Sequence, residues 1–148
     1  MASVQKTVDV DRPVRTVYNQ WTQFEDFPRF MDGVEQVRQI DDTHLHWKAR
    51  VAGTEREWDA EIVRQEPDQG VAWRSTSGTT NAGAVTFQAL SPEATRVFLQ
   101  LELEPEGAVE QAGDKLGFVA KQAEGDLKRF KAFIEGRPAE TGAWRGRV

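Results

Sequence analysis

Residues 12–37 read RPVRTVYNQWTQFEDFPRFMDGVEQV, and they say more about the architecture than any other part of the chain. The first half carries apolar residues at the i, i+3, i+4 and i+7 positions of one helical face, which are Val14, Val17, Tyr18 and Trp21. The second half gathers bulky side chains around a helix-interrupting proline: Phe24, Phe27, Pro28, Phe30 and Met31. So many large apolar groups in a short connection need a surface to cover. We therefore predict two helical segments within 13–31 that pack onto a sheet.

Strand patterns lie on both sides of this helical pair. Runs of alternating apolar residues, separated by turn signals rich in Asp, Gly, Pro and Asn, predict strands at 3–10, 34–40, 43–51, 54–65, 70–78, 82–90 and 94–104. A long amphipathic helix from about Val109 to Glu135 follows, and Gly136 ends it. The order β-αα-β6-α predicts an α+β domain, in which the helical segments pack against a sheet.

The length, composition and net charge limit the classes of protein that fit this sequence. The chain has 148 residues, 39% of them hydrophobic, no cysteine and a net charge of −5. This length fits one domain, predicted at 1–136, with a C-terminal tail at 137–148. The lack of a long apolar run argues against membrane insertion, and the acidic balance argues against nucleic-acid binding. Without cysteine there are no disulfides or thiolate ligands, which leaves the redox compartment open. A cytoplasmic location is the default expectation.

The two strands around Ala52-Gly53 carry complementary patterns. If they form a symmetric hairpin, Trp47 lies opposite Trp58 and Lys48 lies opposite Glu57. One face of the hairpin then becomes a ladder of opposite charges, and the other face becomes apolar. The sequence therefore predicts that the tryptophans point toward the core.

Two histidines lie on the charged face of the same hairpin. His44 and His46 are two residues apart, a spacing that suits a metal site in a strand. Their predicted cross-strand neighbours are Glu61 and Asp59, which fit a solvent-exposed ladder of charge pairs better. We therefore expect no metal site here.

The alternation along the strands predicts an apolar wall opposite the last helix. The predicted wall consists of Trp47, Trp58, Trp73, Phe87, Leu101 and Leu116. On the helix, Gly113, Gly117 and Ala120 leave a surface of small residues toward the sheet. This surface is either room for a ligand or a site of close helix-on-sheet packing. Phe27, Phe30 and Met31 are the predicted gate of the space between helix and sheet.

Taken together, these features resemble the START-like helix-grip (SRPBCC) superfamily, in particular its bacterial polyketide cyclase/dehydrase and coenzyme Q-binding START-domain branch. The resemblance covers roughly residues 3–136. Its most specific part is a string of apolar residues, namely Val17, Trp21, Phe24, Phe27, Pro28, Phe30, Val34 and Val37. The resemblance implies an α+β helix-grip fold, in which a curved antiparallel sheet of about seven strands wraps around the long C-terminal helix. It also implies an internal cavity for a hydrophobic small molecule between the sheet and that helix. Members of the superfamily include aromatase/cyclases, quinone and lipid carriers, and hormone-binding proteins.

The expected function is therefore the binding of a polyketide, quinone or lipid-like molecule in that cavity, without a cofactor. One alternative is an enzyme, a polyketide cyclase or dehydratase that acts on a poly-ketone chain. Another is a structural or interaction protein whose aromatic residues fill the interior. A homodimer is left open.

The resemblance also implies a catalytic arrangement, in which an inward arginine and a hydroxyl group act on the poly-ketone chain. The candidates in this chain are Arg56, Ser75 and Tyr18. The alternative interpretation places Arg56 at a strand end with its head in solvent, Ser75 on a backbone group and Tyr18 in the core. Ala60 and Ile62 hold the inward positions where a cyclase of this kind has its basic residue.

Overall fold

The computed structural model of the chain describes residues 2–51, 54–78, 81–103 and 109–147, without the side chains of 2, 51, 103, 109–116 and 118. The elements, in chain order, are β1 (Ala2–Val10), α1 (Val14–Trp21), a 3-10 helix (Phe24–Arg29), β2 (Val34–Gln39), β3 (His44–Val51), β4 (Thr54–Glu66), β5 (Gly70–Gly78), β6 (Asn81–Ser91), β7 (Ala94–Leu103) and α2 (Val109–Glu135). This is the predicted order. The predicted turn at Ala52-Gly53 and the side chain of Leu116 lie outside the described part.

The strands form one antiparallel sheet in the order β1-β7-β6-β5-β4-β3-β2. Each strand pairs with its sequence neighbour except β1, which pairs with β7. The sheet curls around α2, so the predicted α+β helix-grip fold is confirmed. We call the end of the sheet with the β4–β5 and β6–β7 turns, where α1 also lies, the base. The end with the β3–β4 and β5–β6 connections is the far end.

The register of the β3–β4 hairpin is the predicted one. Trp47 pairs with Trp58 and Lys48 pairs with Glu57. The two indole rings stack with their centroids 5.8 Å apart and their planes within 9°. On the outer face, the ammonium group of Lys48 lies 3.3 Å from the carboxylate of Glu55, a diagonal neighbour in the same ladder. The charge pattern of the sequence therefore fixed which residues pair across the hairpin.

An aromatic cluster fills the core at the base. Trp21 of α1 is 1% exposed, and its ring meets the edge of Phe130 of α2 with centroids 4.7 Å apart. Phe27 and Phe30, on and just after the 3-10 helix, lie 5.5 and 6.1 Å from the same indole. These contacts join α1, the 3-10 helix and α2 into one packed unit, because aromatic pairs at such distances attract beyond their buried area.

Candidate ligand-binding site

The apolar side chains on the inner face of the sheet become more exposed from its middle toward the far end. On β4, Ala60 and Ile62 are 0% and 1% exposed, whereas Trp58 is only half-buried. Trp73 and Leu101, on neighbouring strands, are also half-buried while they pack against the core. Large apolar side chains thus remain accessible on the concave face at the far end. Such surface is usually buried or used for binding.

A glycine shapes this wall. A Cβ atom built on Gly83 of β6 would lie 2.4 Å from Cζ2 of Trp73, so the indole ring lies directly over the backbone of the next strand. In the sheet, Gly83 pairs with Trp73 on one side and with Leu101 on the other. The ring of Trp73 can lie against the sheet only because no side chain occupies this position.

The wall also carries polar atoms. In the described part of the chain, the Nε1 atoms of Trp47 and Trp58 are buried and have no hydrogen-bond partner. An indole N–H only donates, and a buried donor without a partner costs about 1–3 kcal/mol. Because both atoms are shielded from solvent in this structure, a ligand oxygen would gain a hydrogen bond to either indole once the surrounding side chains move aside.

Helix α2 also contributes half-buried residues to the interior. Val119 and Ala120 are half-buried and pack against the core. Gly117, which was expected to face the sheet, lies instead on the exposed side of α2, and a Cβ atom built on it would meet no atom within 4 Å. The reason is helical geometry, since Gly117 is four residues before the exposed Lys121 and so lies on the solvent stripe.

The predicted gate residues are part of the packed interior in this structure. Phe27 and Phe30 are 1% and 2% exposed, and Phe27 lies 5.6 Å from the ring of Trp47. Met31 is half-buried beside them. Phe87, a predicted wall residue, meets the ring of Tyr18 edge-on at 5.7 Å and belongs to the base. A gating role for these residues stays a prediction.

The three candidate catalytic residues do not converge. Tyr18 lies at the base, where burial raises the pKa of its hydroxyl. The hydroxyl oxygen of Ser75 accepts a hydrogen bond of 3.0 Å from the backbone N–H of Asn81. Arg56 is half-buried and pairs with Ala49 near the far end. An acid or base must lie within hydrogen-bond reach of its substrate, and Tyr18 at the base is separated from Arg56 near the far end. A catalytic role for Arg56 and Ser75 stays a prediction.

The histidines of the β3–β4 hairpin bind carboxylates. Nδ1 of His46 lies 2.7 Å from Oδ1 of Asp59, whose other oxygen accepts a 2.7 Å hydrogen bond from Ser77. His44 contacts Asp41 at 2.9 Å. Across the described residues, no group of three or more His, Asp or Glu side chains is arranged to hold a metal ion.

We expect the pKa of His46 to lie above its ordinary value of about 6.5, because the hydrogen bond with Asp59 stabilises the imidazolium. Because this pKa is raised, the hydrogen bond between His46 and Asp59 stabilises the fold fully at pH values below the pKa of the unfolded chain. The stabilisation is lost as the pH rises through the folded-state pKa. NMR titration of the imidazole should show the shift. Asp59→Asn should reduce the shift, leaving the smaller effect of Glu57, whose carboxylate lies 3.4 Å from Nε2 of His46, and the control Asp42→Asn should not change it. An ordinary pKa in the unmodified protein would contradict the assignment.

A separate cleft of about 720 Å³ runs along the β1 edge of the sheet. It is lined by Gln5, Lys6, Thr7, Val8, Ala84, Thr86, Phe98, Leu99, Gln100, Glu124, Leu127 and Lys128. An ion pair of 3.6 Å between Lys6 and Glu124 lies in this lining. None of the predicted wall residues whose side chains the structure describes borders this cleft. Its charged rim distinguishes it from the aromatic wall at the far end.

The sequence is similar to a known protein family and to a full-length bacterial relative. A sequence profile of the family described as polyketide cyclase/dehydrase and lipid transport matches residues 10–132. An uncharacterized 17.2 kDa protein of Streptomyces lincolnensis is 52% identical over 100% of this chain and 99% of its own length.

Solved structures share the fold at low sequence identity. The Zhui aromatase/cyclase of Streptomyces sp. R1128 has a TM-score of 0.77 and 19% identity, covering 97% of this chain and 99% of that chain. A START superfamily protein of Mycobacterium smegmatis has a TM-score of 0.74 and 16% identity, covering 90% and 97%. Within the described residues, no helix is both long and apolar enough to cross a bilayer.

Proposed function

This chain belongs to the polyketide cyclase/dehydrase and lipid transport family, and from that premise we propose that it binds a hydrophobic small molecule between the far end of its sheet and α2, as a cytoplasmic protein. The observation that carries the proposal is the accessible aromatic wall on the concave face. Trp58, Trp73 and Leu101 keep part of their surface exposed there, while the same face at the base is closely packed. Binding an apolar molecule would remove this surface from water, which is favourable at about 25 cal/mol per Å².

The shape and chemistry of the wall favour a flat ligand that carries oxygen atoms. Stacked and flat-lying indoles offer planar surfaces to rings or to conjugated chains. The free Nε1 donors of Trp47 and Trp58 favour a carbonyl or hydroxyl oxygen on such a ligand. Polyketides, quinones and other lipid-like molecules combine both properties.

Binding is better supported than catalysis. In the described residues, Tyr18 lies in the core at the base, and the Ser75 hydroxyl already accepts a backbone hydrogen bond. Ala60 and Ile62, both fully buried, occupy the strand positions expected to hold a basic pocket residue in a cyclase. The similarity to an aromatase/cyclase structure at 19% identity concerns the fold alone. Turnover of a poly-ketone chain that depends on Arg56 would instead favour the enzyme.

The proposal can be tested by titrating the protein with the apolar fluorophore 1-anilinonaphthalene-8-sulfonate. We expect a single site whose affinity falls on the order of tenfold in Trp58→Ala, because stacking and apolar contact together contribute about 1–2 kcal/mol per aromatic side chain. The matched control is Trp144→Ala, which removes a half-buried indole in the C-terminal tail. Equal affinities for the unmodified protein and Trp58→Ala would contradict the proposal that the aromatic wall binds the ligand.

A further inference from the structure

Three polar side chains at the end of α1 and just after it are as buried as the apolar residues of the helix. Asn19, Gln20 and Thr22 are 3%, 0% and 2% exposed. They lie outside the apolar stripe that contains Val17 and Trp21, where a short surface helix normally meets solvent. Buried polar side chains need hydrogen-bond partners, since an unpaired one costs about 1–3 kcal/mol. The question is what covers them.

The C-terminal segment 137–147 covers them. The backbone N–H of Thr141 donates to Oε1 of Gln20 at 2.9 Å, and the Gln20 amide returns a hydrogen bond of 3.1 Å to the Thr141 hydroxyl. Three residues later, the backbone N–H of Trp144 donates to the Thr22 hydroxyl at 3.1 Å. The segment therefore runs along α1 without regular secondary structure, held by reciprocal hydrogen bonds.

Arg145 contacts both α1 and the β4–β5 turn. Its guanidinium donates to Oδ1 of Asn19 at 2.6 Å and lies 2.8 Å from Oδ2 of Asp68. It also lies over the ring of Tyr18, 5.4 Å from the centroid. Asp68 belongs to the β4–β5 turn and has a φ of 64°, a left-handed conformation that Asp tolerates. One side chain thus ties α1 to the β4–β5 turn.

A buried polar pair lies beneath Arg145. Gln65 is 1% exposed, because a register shift in β4 between Ile62 and Arg64 turns it inward. Neither atom of its amide group has a hydrogen-bond partner among the described residues, and the Tyr18 hydroxyl has none of good geometry either. Tyr18 in turn contacts Phe87 on the inner face of the sheet. Arg145 therefore covers, at the surface of the base, a series of polar groups that extends inward to the core.

We propose that residues 137–147 form a strap that closes a second opening at the base, with Arg145 as its latch. When the latch is released, α1 separates from the β4–β5 turn, and Tyr18 and Gln65 become accessible from outside. The use of this opening by a ligand rests on the proposed function, whereas the opening itself does not. The strap is distinct from the aromatic wall, which lies at the far end.

Hydrogen exchange measured by mass spectrometry tests the latch without any ligand. Arg145→Ala and Asp68→Asn each remove the ion pair, and Asn keeps a left-handed backbone as readily as Asp. We expect amides in α1 and at the end of β4 to exchange about 10 to 100 times faster in both variants, the change expected for lost charged hydrogen bonds. The control Arg147→Ala, two residues along the strap, should leave these rates unchanged.

Stopped-flow mixing with 1-anilinonaphthalene-8-sulfonate tests the route. We expect the rate of uptake to rise severalfold in the two latch variants, with an affinity close to that of the unmodified protein. Unchanged exchange in α1, a uniform rise in exchange across the whole sheet, or faster exchange without faster uptake would each overturn the proposal. If the unmodified protein takes up no fluorophore, the proposed function fails, and the exchange data alone decide whether the strap is a latch.

Discussion

Replacing Trp21 with alanine is expected to lower the free energy of unfolding by about 3–5 kcal/mol, the largest stability effect of any single substitution considered. Trp21 is 1% exposed and its indole contacts three phenylalanines from two other elements, as well as Phe87 of the sheet. Alanine would leave a cavity in the one cluster that joins α1, the 3-10 helix and α2. The neighbouring rings cannot collapse into it without breaking their own edge-to-face contacts.

Urea unfolding followed by far-UV circular dichroism measures this effect. The control is Ile40→Ala, which shortens a side chain that is 59% exposed and should change stability by less than about 0.5 kcal/mol. A loss below about 1.5 kcal/mol for Trp21→Ala would mean that the cluster is loosely packed. The account of the base as a solid core would then be wrong.

Replacing Ala120 with tryptophan is expected to abolish binding of an apolar fluorophore, with a loss of affinity of more than about a hundredfold. Ala120 lies on the half-buried side of α2. If the space between α2 and the aromatic wall is a binding site, a large side chain at this position fills it. Ala120→Leu should give an intermediate loss, because it adds a smaller volume.

Gly117→Leu is the matched control for this experiment, since it adds a large side chain to the exposed stripe of the same helix. It should bind the fluorophore as the unmodified protein does. Each variant should unfold cooperatively, which shows that the loss of binding is local. Full binding by Ala120→Trp, or an equal loss in Gly117→Leu, would contradict the location of the site.

The fold could be predicted from the sequence because its signals are local and agree with one another. Period-two alternation and opposite charges specified the β3–β4 register down to Trp47 opposite Trp58. The aromatic residues of 12–37 indicated a segment that covers a core, and Trp21 and Phe30 lie in that core. Each of these patterns depends on neighbours in the chain or across one turn.

The candidate site could be predicted only in part, because its details depend on contacts between distant residues. Asn19, Gln20 and Thr22 have the pattern of a solvent-facing helix side, and nothing local indicates that residues 137–147 bury them. The inward turn of Gln65 results from an irregularity in β4 that alternation cannot anticipate. Small residues in α2 suggested space toward the sheet, but only the helix phase shows that Gly117 lies on the solvent side.

Native mass spectrometry of the protein purified from bacterial cells tests the central claim most directly. We expect a fraction of the folded chain to carry one small apolar molecule that is released on denaturation, and we expect one equivalent of added 1-anilinonaphthalene-8-sulfonate to replace it. Trp58→Ala should retain less of either molecule. A spectrum that shows only the bare chain, both as purified and after incubation with excess fluorophore, would contradict the claim that this fold encloses a binding site.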